Sequence, residues 1–336
     1  MSLLFPVLRR LAGWLAPVTV LSFCACATAR PEPLMTPSAA PPPAEAAPPP
    51  PLEVALTFDD LPSHGPAFPG VSRMAVIESI NATLRKHGVP SAVGYVNGQL
   101  VEQQPADRAV LETWLAAGNL LGNHTWSHVD LGKVGLAAYL QDIDRNEPLL
   151  RELAGPGTPE RAWKTFRYPF LQEGVDAESR TAIRAHLAGK GYRVAQVTID
   201  FGDWAWNEAA ARCAAQGKPQ LQESLRKGYQ KTARSFLRWA DAAAQQVFGR
   251  RIRHVLLLHA GSFQADTLDA LLTSYEKAGV RFITLDAAME DPIYAEDPGI
   301  AQTWGDSFIE QVIQARKPPH PPFPLQPLDL LEAICR

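Results

Sequence analysis

The 336-residue chain has little net charge, few cysteines and no long apolar run, and each shortage closes off a class of function. A formal net charge of −3 gives no basic field for nucleic acid. Of the four cysteines, Cys24 and Cys26 lie in the N-terminal apolar stretch. Cys213 and Cys335 lack the spacing of a zinc cluster; in an oxidising compartment they either pair, tying the tail to the domain, or stay separate thiols. The apolar run, roughly residues 11–27, falls short of the about 20 residues a membrane span needs. No internal repeat is evident.

The N-terminus has the layout of an export signal. Arg9 and Arg10 precede the apolar run, which ends in small residues, and Ala27-Thr28-Ala29 fits an A-x-A cleavage site. Cys26, preceded by Ala25, also resembles a bacterial lipid-attachment site, although Phe23 stands where Leu is usual. Simple cleavage, a lipidated membrane tether and an uncleaved anchor are the three readings. Residues 30–51 are mostly Pro, Ala and Glu, which cannot bury apolar surface and favour an extended spacer. The expected organisation is a signal over 1–29, a linker over 30–51, a folded domain over 52–291 and a Pro-rich extension over 292–336.

Within the folded part, short apolar or β-branched runs recur at Glu53–Phe58, Ser91–Val96, Asn119–Asn123, Thr165–Pro169, Arg193–Ile199, His254–His259 and Arg281–Leu285. Stretches with helical spacing separate most of them, including Ser72–His87, Leu136–Leu153 and Val175–Lys190. This alternation predicts parallel strands with crossover helices, either a distorted (β/α)7 barrel or an open doubly wound sheet. Before the sixth strand lies a long insertion, read as two helices around Gly217-Lys218-Pro219, an inserted cap or elongated crossover in a structural role, with a substrate lid as the alternative.

Five clusters sit where strands end, the mouth of a parallel barrel. Asp59-Asp60 pairs two repelling carboxylates, which a cation or donor must compensate, and strand alternation turns them different ways. His124 and His128, four apart, suit one face of a helical turn and a shared metal. Arg167 offers a bidentate grip on one carboxylate. Asp200-Phe201-Gly202-Asp203-Trp204 offers a carboxylate to orient a histidine and an aromatic wall for a sugar. His259 ends an apolar strand, where a nearby aspartate can raise its pKa. His64, His87, His186, His254 and His320 lack such settings and read as structural or surface residues.

In this order the five clusters resemble the motifs of the polysaccharide deacetylases, the NodB-homology or family 4 carbohydrate esterases, over about Leu52 to Asp291. The resemblance implies a (β/α)7 barrel of the NodB type and removal of acetyl groups from a polysaccharide or oligosaccharide. It implies Asp59 as general base, Asp60, His124 and His128 as metal ligands, and Arg167 as tether of Asp59. The Phe170 N–H would stabilise the oxyanion. Asp203 would tune the general acid His259, and Trp204 and Leu257 would line the acetyl pocket. One divalent ion is implied, Zn2+ first, with Co2+, Ni2+ or Mn2+ as alternatives. The main departure is Leu61, where the family has glycine; a Cβ there excludes some backbone conformations. A glycan-binding protein without turnover and a metal hydrolase of small amides are the rival readings.

Overall fold

The computed structural model describes residues 51–336. The expectations on the export signal, the lipid site and nearly all of the spacer fall on residues 1–50, outside the described part. Among the described residues no helix is long and apolar enough to cross a membrane.

All the expected strands form: β1 (Leu52–Leu61), β2 (Val93–Val96), β3 (Leu120–Asn123), β4 (Thr165–Phe166), β5 (Arg193–Val194), β6 (His254–His259) and β7 (Val280–Ile283). Every pairing between them is parallel, in the order β5-β4-β3-β2-β1-β6. β7 pairs with the first residues of β1, whereas β2 pairs with its last residues. The predicted strand Arg193–Ile199 breaks after Val194, and its far end pairs instead with β6 through an Ile199–Leu256 bridge. That bridge brings the β5 side of the sheet round to β6, so the sheet curls into the distorted barrel expected rather than an open sheet.

Alternation along β1 sorts two layers. Val54, Leu56 and Phe58 join the large core under the helices, whereas Ala55 clusters with Tyr95 and Val255 inside the barrel. Thr57 and Asp59 follow Ala55 on the inward face, and this period delivers Asp59 to the mouth. Each buried Leu or Phe of the outer layer contributes about 1.5–3 kcal/mol.

The helices are α1 (Arg73–Lys86), α2 (Gly98–Gln103), α3 (Arg108–Ala116), α4 (Leu131–Val134), α5 (Leu136–Ala154), α6 (Ala177–Gly189), α7 (Asp203–Ala215), α8 (Pro219–Phe248), α9 (Ser262–Lys277), α10 (Leu285–Met289), α11 (Phe308–Arg316) and α12 (Leu328–Ala333). The Ser72 side chain caps α1, which stops at His87 before Gly88 at a φ of 60°. The insertion before β6 is α7 and α8, separated by Gly217-Lys218 as expected. Tyr229, Phe236 and Trp239 of α8 are buried, in keeping with a structural role. Beyond α11, residues 317–327 have no helix or strand. Cys335 then forms a disulfide with Cys213 of α7, with the Cα atoms 5.2 Å apart.

Candidate metal and acid–base site

β1 ends in the two carboxylates, but they do not point in different ways as alternation predicts. Asp60 adopts a left-handed φ of 63°, and the β1–β2 register is irregular between Phe58 and Leu61. Both carboxylates therefore face His124, whose Nε2 lies 3.6 Å from Asp59 Oδ2 and 3.5 Å from Asp60 Oδ1. His128 Nε2 is also 3.5 Å from Asp60 Oδ1.

The two histidines do not share a helical turn. Residues 124–130 are irregular, with Thr125 at φ 62° and His128 at φ 52°. Buried asparagines supply the hydrogen bonds a helix would have made. Asn97 Nδ2 donates to the His124 and Thr125 carbonyls at 2.7 and 3.2 Å, and Asn123 Oδ1 accepts from the Thr125 N–H at 2.9 Å. Asp142 accepts from the N–H and hydroxyl of Ser127, both at 2.9 Å. His124 Nδ1–H donates to the Arg167 carbonyl at 2.8 Å, which fixes the tautomer and leaves the Nε2 lone pair facing Asp60. Burial lowers both imidazoles to a pKa of about 4, so they are neutral at pH 7.

Arg167 lies inside the barrel, 1 % exposed, with its guanidinium 4.7 Å from the centre of the Tyr95 ring. It does not grip Asp59 with both arms. Its donors are shared among Asp59 Oδ1 at 3.4 Å, the Thr57 hydroxyl at 3.1 Å and the Ala195 carbonyl at 2.9 Å. Burial pushes the Asp59 carboxyl up to about 6, with Arg167 opposing. For Asp60 burial also raises the pKa, but His128 and His64 outweigh it and hold the group well below the usual range.

On the far side, His259 ends β6 beside Asp59, its register partner. Asp203, the first residue of α7, accepts from the His259 N–H and from its Nδ1–H, each at 2.7 Å. Burial works against a charged His259, but the Asp203 carboxylate prevails and raises its pKa to about 10. Leu257, 4 % exposed, stands one pleat below His259 on the same face. Trp204 and Phe170 are 42 % and 50 % exposed, and the Phe170 ring lies 4.5 Å from His128. Phe170 has a left-handed φ of 56°. The hydrogen bonds of its turn run from Leu171 N–H to Tyr168 and from Gln172 N–H to Pro169, and neither uses the Phe170 N–H.

The sequence reading missed His64. Its Nδ1 is 2.7 Å from Asp60 Oδ2, its Nε2 is 3.3 Å from the Trp204 carbonyl, and its ring centre is 4.6 Å from that of His259. The available signal was its position four residues after Asp60. His87, His186, His254 and His320 lie elsewhere, bonded to acidic side chains, to Thr198 and to a backbone carbonyl. Leu61, the departure from the family pattern, does not intrude on the mouth. It is fully buried and fills the space left by Gly94, where a Cβ would lie 2.4 Å from a Leu61 methyl.

The donor set fits a divalent cation. Asp60 Oδ1 is buried without a hydrogen-bond partner, and Asp60, His124 and His128 bring their ligand atoms together. Ligands about 2.0–2.1 Å from a tetrahedral ion lie about 3.4 Å apart. The two 3.5 Å separations from Asp60 Oδ1 match that spacing.

Residues 46–195 match the polysaccharide deacetylase family. Over this span the chain is similar to that family. Among curated proteins it is 26 % identical to a peptidoglycan-N-acetylglucosamine deacetylase of Bacillus cereus, over 71 % of this chain and 68 % of that one. Among solved structures it is similar to the chitin deacetylase of Colletotrichum lindemuthianum, at 21 % identity and TM-score 0.48, covering 72 % and 88 % of the two chains. The peptidoglycan deacetylase PdaC of Bacillus subtilis matches at 22 % identity and TM-score 0.44, covering 71 % and 91 %. The span that matches the family model contains the Asp59-Asp60, His124/His128 and Arg167 clusters and ends before Asp203 and His259.

Proposed function

We propose that the chain is an exported, metal-dependent hydrolase that removes acetyl groups from a cell-wall or extracellular polysaccharide, N-acetyl in preference to O-acetyl. The observation that carries this reading is the opposed chemistry around one mouth. Asp59 is a carboxylate with a pKa of about 6, and His259, held by Asp203, keeps its proton up to about 10. A base and an acid ready together at neutral pH are what hydrolysis of an acetyl group requires.

Asp60, His124 and His128 would hold the cation, with Zn2+ the first choice and Co2+, Ni2+ or Mn2+ as substitutes. When bound, such an ion acidifies water and polarises a carbonyl oxygen. Asp59 takes the proton of the attacking water, and Arg167 and Thr57 keep its carboxylate in place. The Phe170 N–H donates to the oxygen on which negative charge develops. His259 Nε2–H protonates the departing amine as the C–N bond breaks, while Asp203 stabilises the imidazolium beforehand. Trp204 and Leu257 border the acetyl group, with Trp204 exposed enough to meet a sugar face.

The Bacillus cereus relative, named for peptidoglycan N-acetylglucosamine, favours an amino sugar of the wall as substrate. The Cys213–Cys335 disulfide favours an oxidising compartment, in line with export, whether the N-terminus is cleaved or lipidated. The test is acetate release by the purified chain supplied with Zn2+, across N- and O-acetylated glycans, with Asp59→Asn as control. Release by the wild type alone supports the reading, and the responding glycan names the linkage. Binding of glycan without acetate release by a zinc-loaded protein refutes it.

A further inference from the structure

His64 is fixed more firmly than a surface histidine has reason to be. Its N–H donates to the Ala260 carbonyl at 2.9 Å, next to His259. Its own carbonyl accepts from Asn207 Nδ2 of α7 at 3.3 Å, and the same amide reaches the Pro66 carbonyl at 3.0 Å. Asn207 Oδ1 in turn accepts from the Phe263 N–H at 3.0 Å. The segment after β1 is thereby tied to α7 and to the start of α9. Only 15 % of the His64 side chain is exposed, and it spans from Asp60 to the Trp204 carbonyl.

Two roles suit a histidine in this position. It could be a ligand, since Asp60, His64 and His259 also bring ligand atoms together. The separations decide against that. The 2.7 Å from His64 Nδ1 to Asp60 Oδ2 is a hydrogen-bond length, well short of the about 3.4 Å between ligand atoms on a tetrahedral ion. The other role is to hold the carboxylate. Asp60 has one oxygen bonded to His64 and the other, buried and unbonded, facing His124 and His128.

We propose that His64 is a positioning residue for the metal carboxylate: its Nδ1–H occupies Asp60 Oδ2, so that Oδ1 alone faces the cation. This rests on the metal reading above and adds a residue to it. Asp60 sits in a strained left-handed conformation, and a carboxylate there with both oxygens free can swing or bind an ion through both. The hydrogen bond from His64 removes that freedom before the ion arrives, as partners of metal ligands do elsewhere.

The experiment measures Zn2+ affinity of the metal-free full chain by competition with a chromophoric chelator, with the visible spectrum of the Co2+-loaded protein as second readout. His64→Ala is expected to bind Zn2+ about 10- to 100-fold more weakly. Its Co2+ bands should also weaken, because a second Asp60 oxygen raises the coordination number. His64→Asn, whose Nδ2–H stands where Nδ1–H was, should recover most of the affinity and the wild-type spectrum, and His64→Gln should not. Wild-type affinity and spectrum in His64→Ala overturn the proposal. So does complete loss of metal with no recovery in His64→Asn, the behaviour of a ligand. A wild type that takes up no Zn2+ instead overturns the metal reading beneath it.

Discussion

Replacing Asp203 by Asn tests the pairing on which the acid reading of His259 rests. The substitution keeps the size of the side chain but only one of its two oxygens: Oδ2 now accepts from the His259 N–H and Oδ1 from its Nδ1–H, each at 2.7 Å, and an amide can retain one of these bonds. It removes the charge. Burial alone would lower the His259 pKa below its ordinary value, yet the folded protein holds it at about 10, with Asp203 the foremost cause. The surrounding carboxylates therefore supply more than the difference of about 3.5 units from the usual 6.5, or about 5 kcal/mol. Asp60 and Asp59 contribute the smaller part. Loss of the Asp203 charge should lower the His259 pKa from about 10 toward its ordinary range.

The sign follows from the role. A general acid works protonated, so activity persists below its pKa and falls as pH rises through it. In the wild type that fall belongs to the alkaline limb of the profile, and in Asp203→Asn it should begin near neutrality. A bound cation lowers the pKa in both proteins, so the quantity to read is the gap between their limbs. The assay is kcat/KM for acetate release from pH 5 to 11, with zinc content measured at each pH. The acid limb, assigned to Asp59, should rise if it moves at all, because the charge of His259 lowers the Asp59 pKa. An alkaline limb that does not move in the zinc-loaded variant refutes the assignment of His259 as an acid tuned by Asp203.

Asp59→Asn should lower turnover by about 10²–10⁴-fold while zinc stays bound, and His128→Ala should lose zinc; metal analysis alongside acetate release checks both. Equal loss of zinc in the two variants contradicts the division between base and ligand. Gly94→Ala should destabilise the fold by about 1–3 kcal/mol in denaturant melts, because its Cβ would sit 2.4 Å from a Leu61 methyl; an unchanged midpoint means that Leu61 has room elsewhere. Cys335→Ser should lower stability by about 2–4 kcal/mol, since the bond closes a loop with a sequence separation of 122. A melt indifferent to reductant in the wild type would contradict that.

The fold was legible because its signals are local. Each strand is an apolar or β-branched run, and α1 carries both its cap and its stop in sequence, at Ser72 and at His87-Gly88. β4 and β5 came out shorter than their runs because both lie toward one side of the sheet, where the chain beyond Val194 leaves the β4 register and turns to β6. Residue types at the site were legible for the same reason, but their geometry was not. The His124–His128 spacing suggests a helical turn, yet Asn97 and Asn123 stabilise a loop, and nothing near the histidines in sequence announces Asn97. Arg167 was expected to use two arms on Asp59, but Thr57 and Ala195 compete for them. His64 depends on Ala260 and Asn207, more distant still along the chain, and spacing from Asp60 alone could not separate it from an exposed loop residue.

Of the non-glycine residues with positive φ, Asp60 at the end of β1 and Thr125, His128, Phe170 and Leu171 in the loops lie around this mouth. Such conformations cost of order 1–3 kcal/mol each and persist only where the surroundings over-determine them. Here the surroundings are identifiable: Asn97 and Asn123 around Thr125, His64 on Asp60, and the short turn after Arg167. The conformation of Asp60 has a chemical consequence. Neighbouring strand residues would point to opposite faces, and Asp60 would then be lost to the site. Its left-handed turn brings it beside Asp59 while leaving the two in different company, one against Arg167 inside the barrel and one among imidazoles. Burial raises Asp59 to about 6, and the imidazoles drive Asp60 well below its ordinary value. In the proposed mechanism, two identical side chains adjacent in sequence are thus separated into a base and a ligand by backbone geometry, and any substitution that relaxes the φ of Asp60 should damage both functions at once.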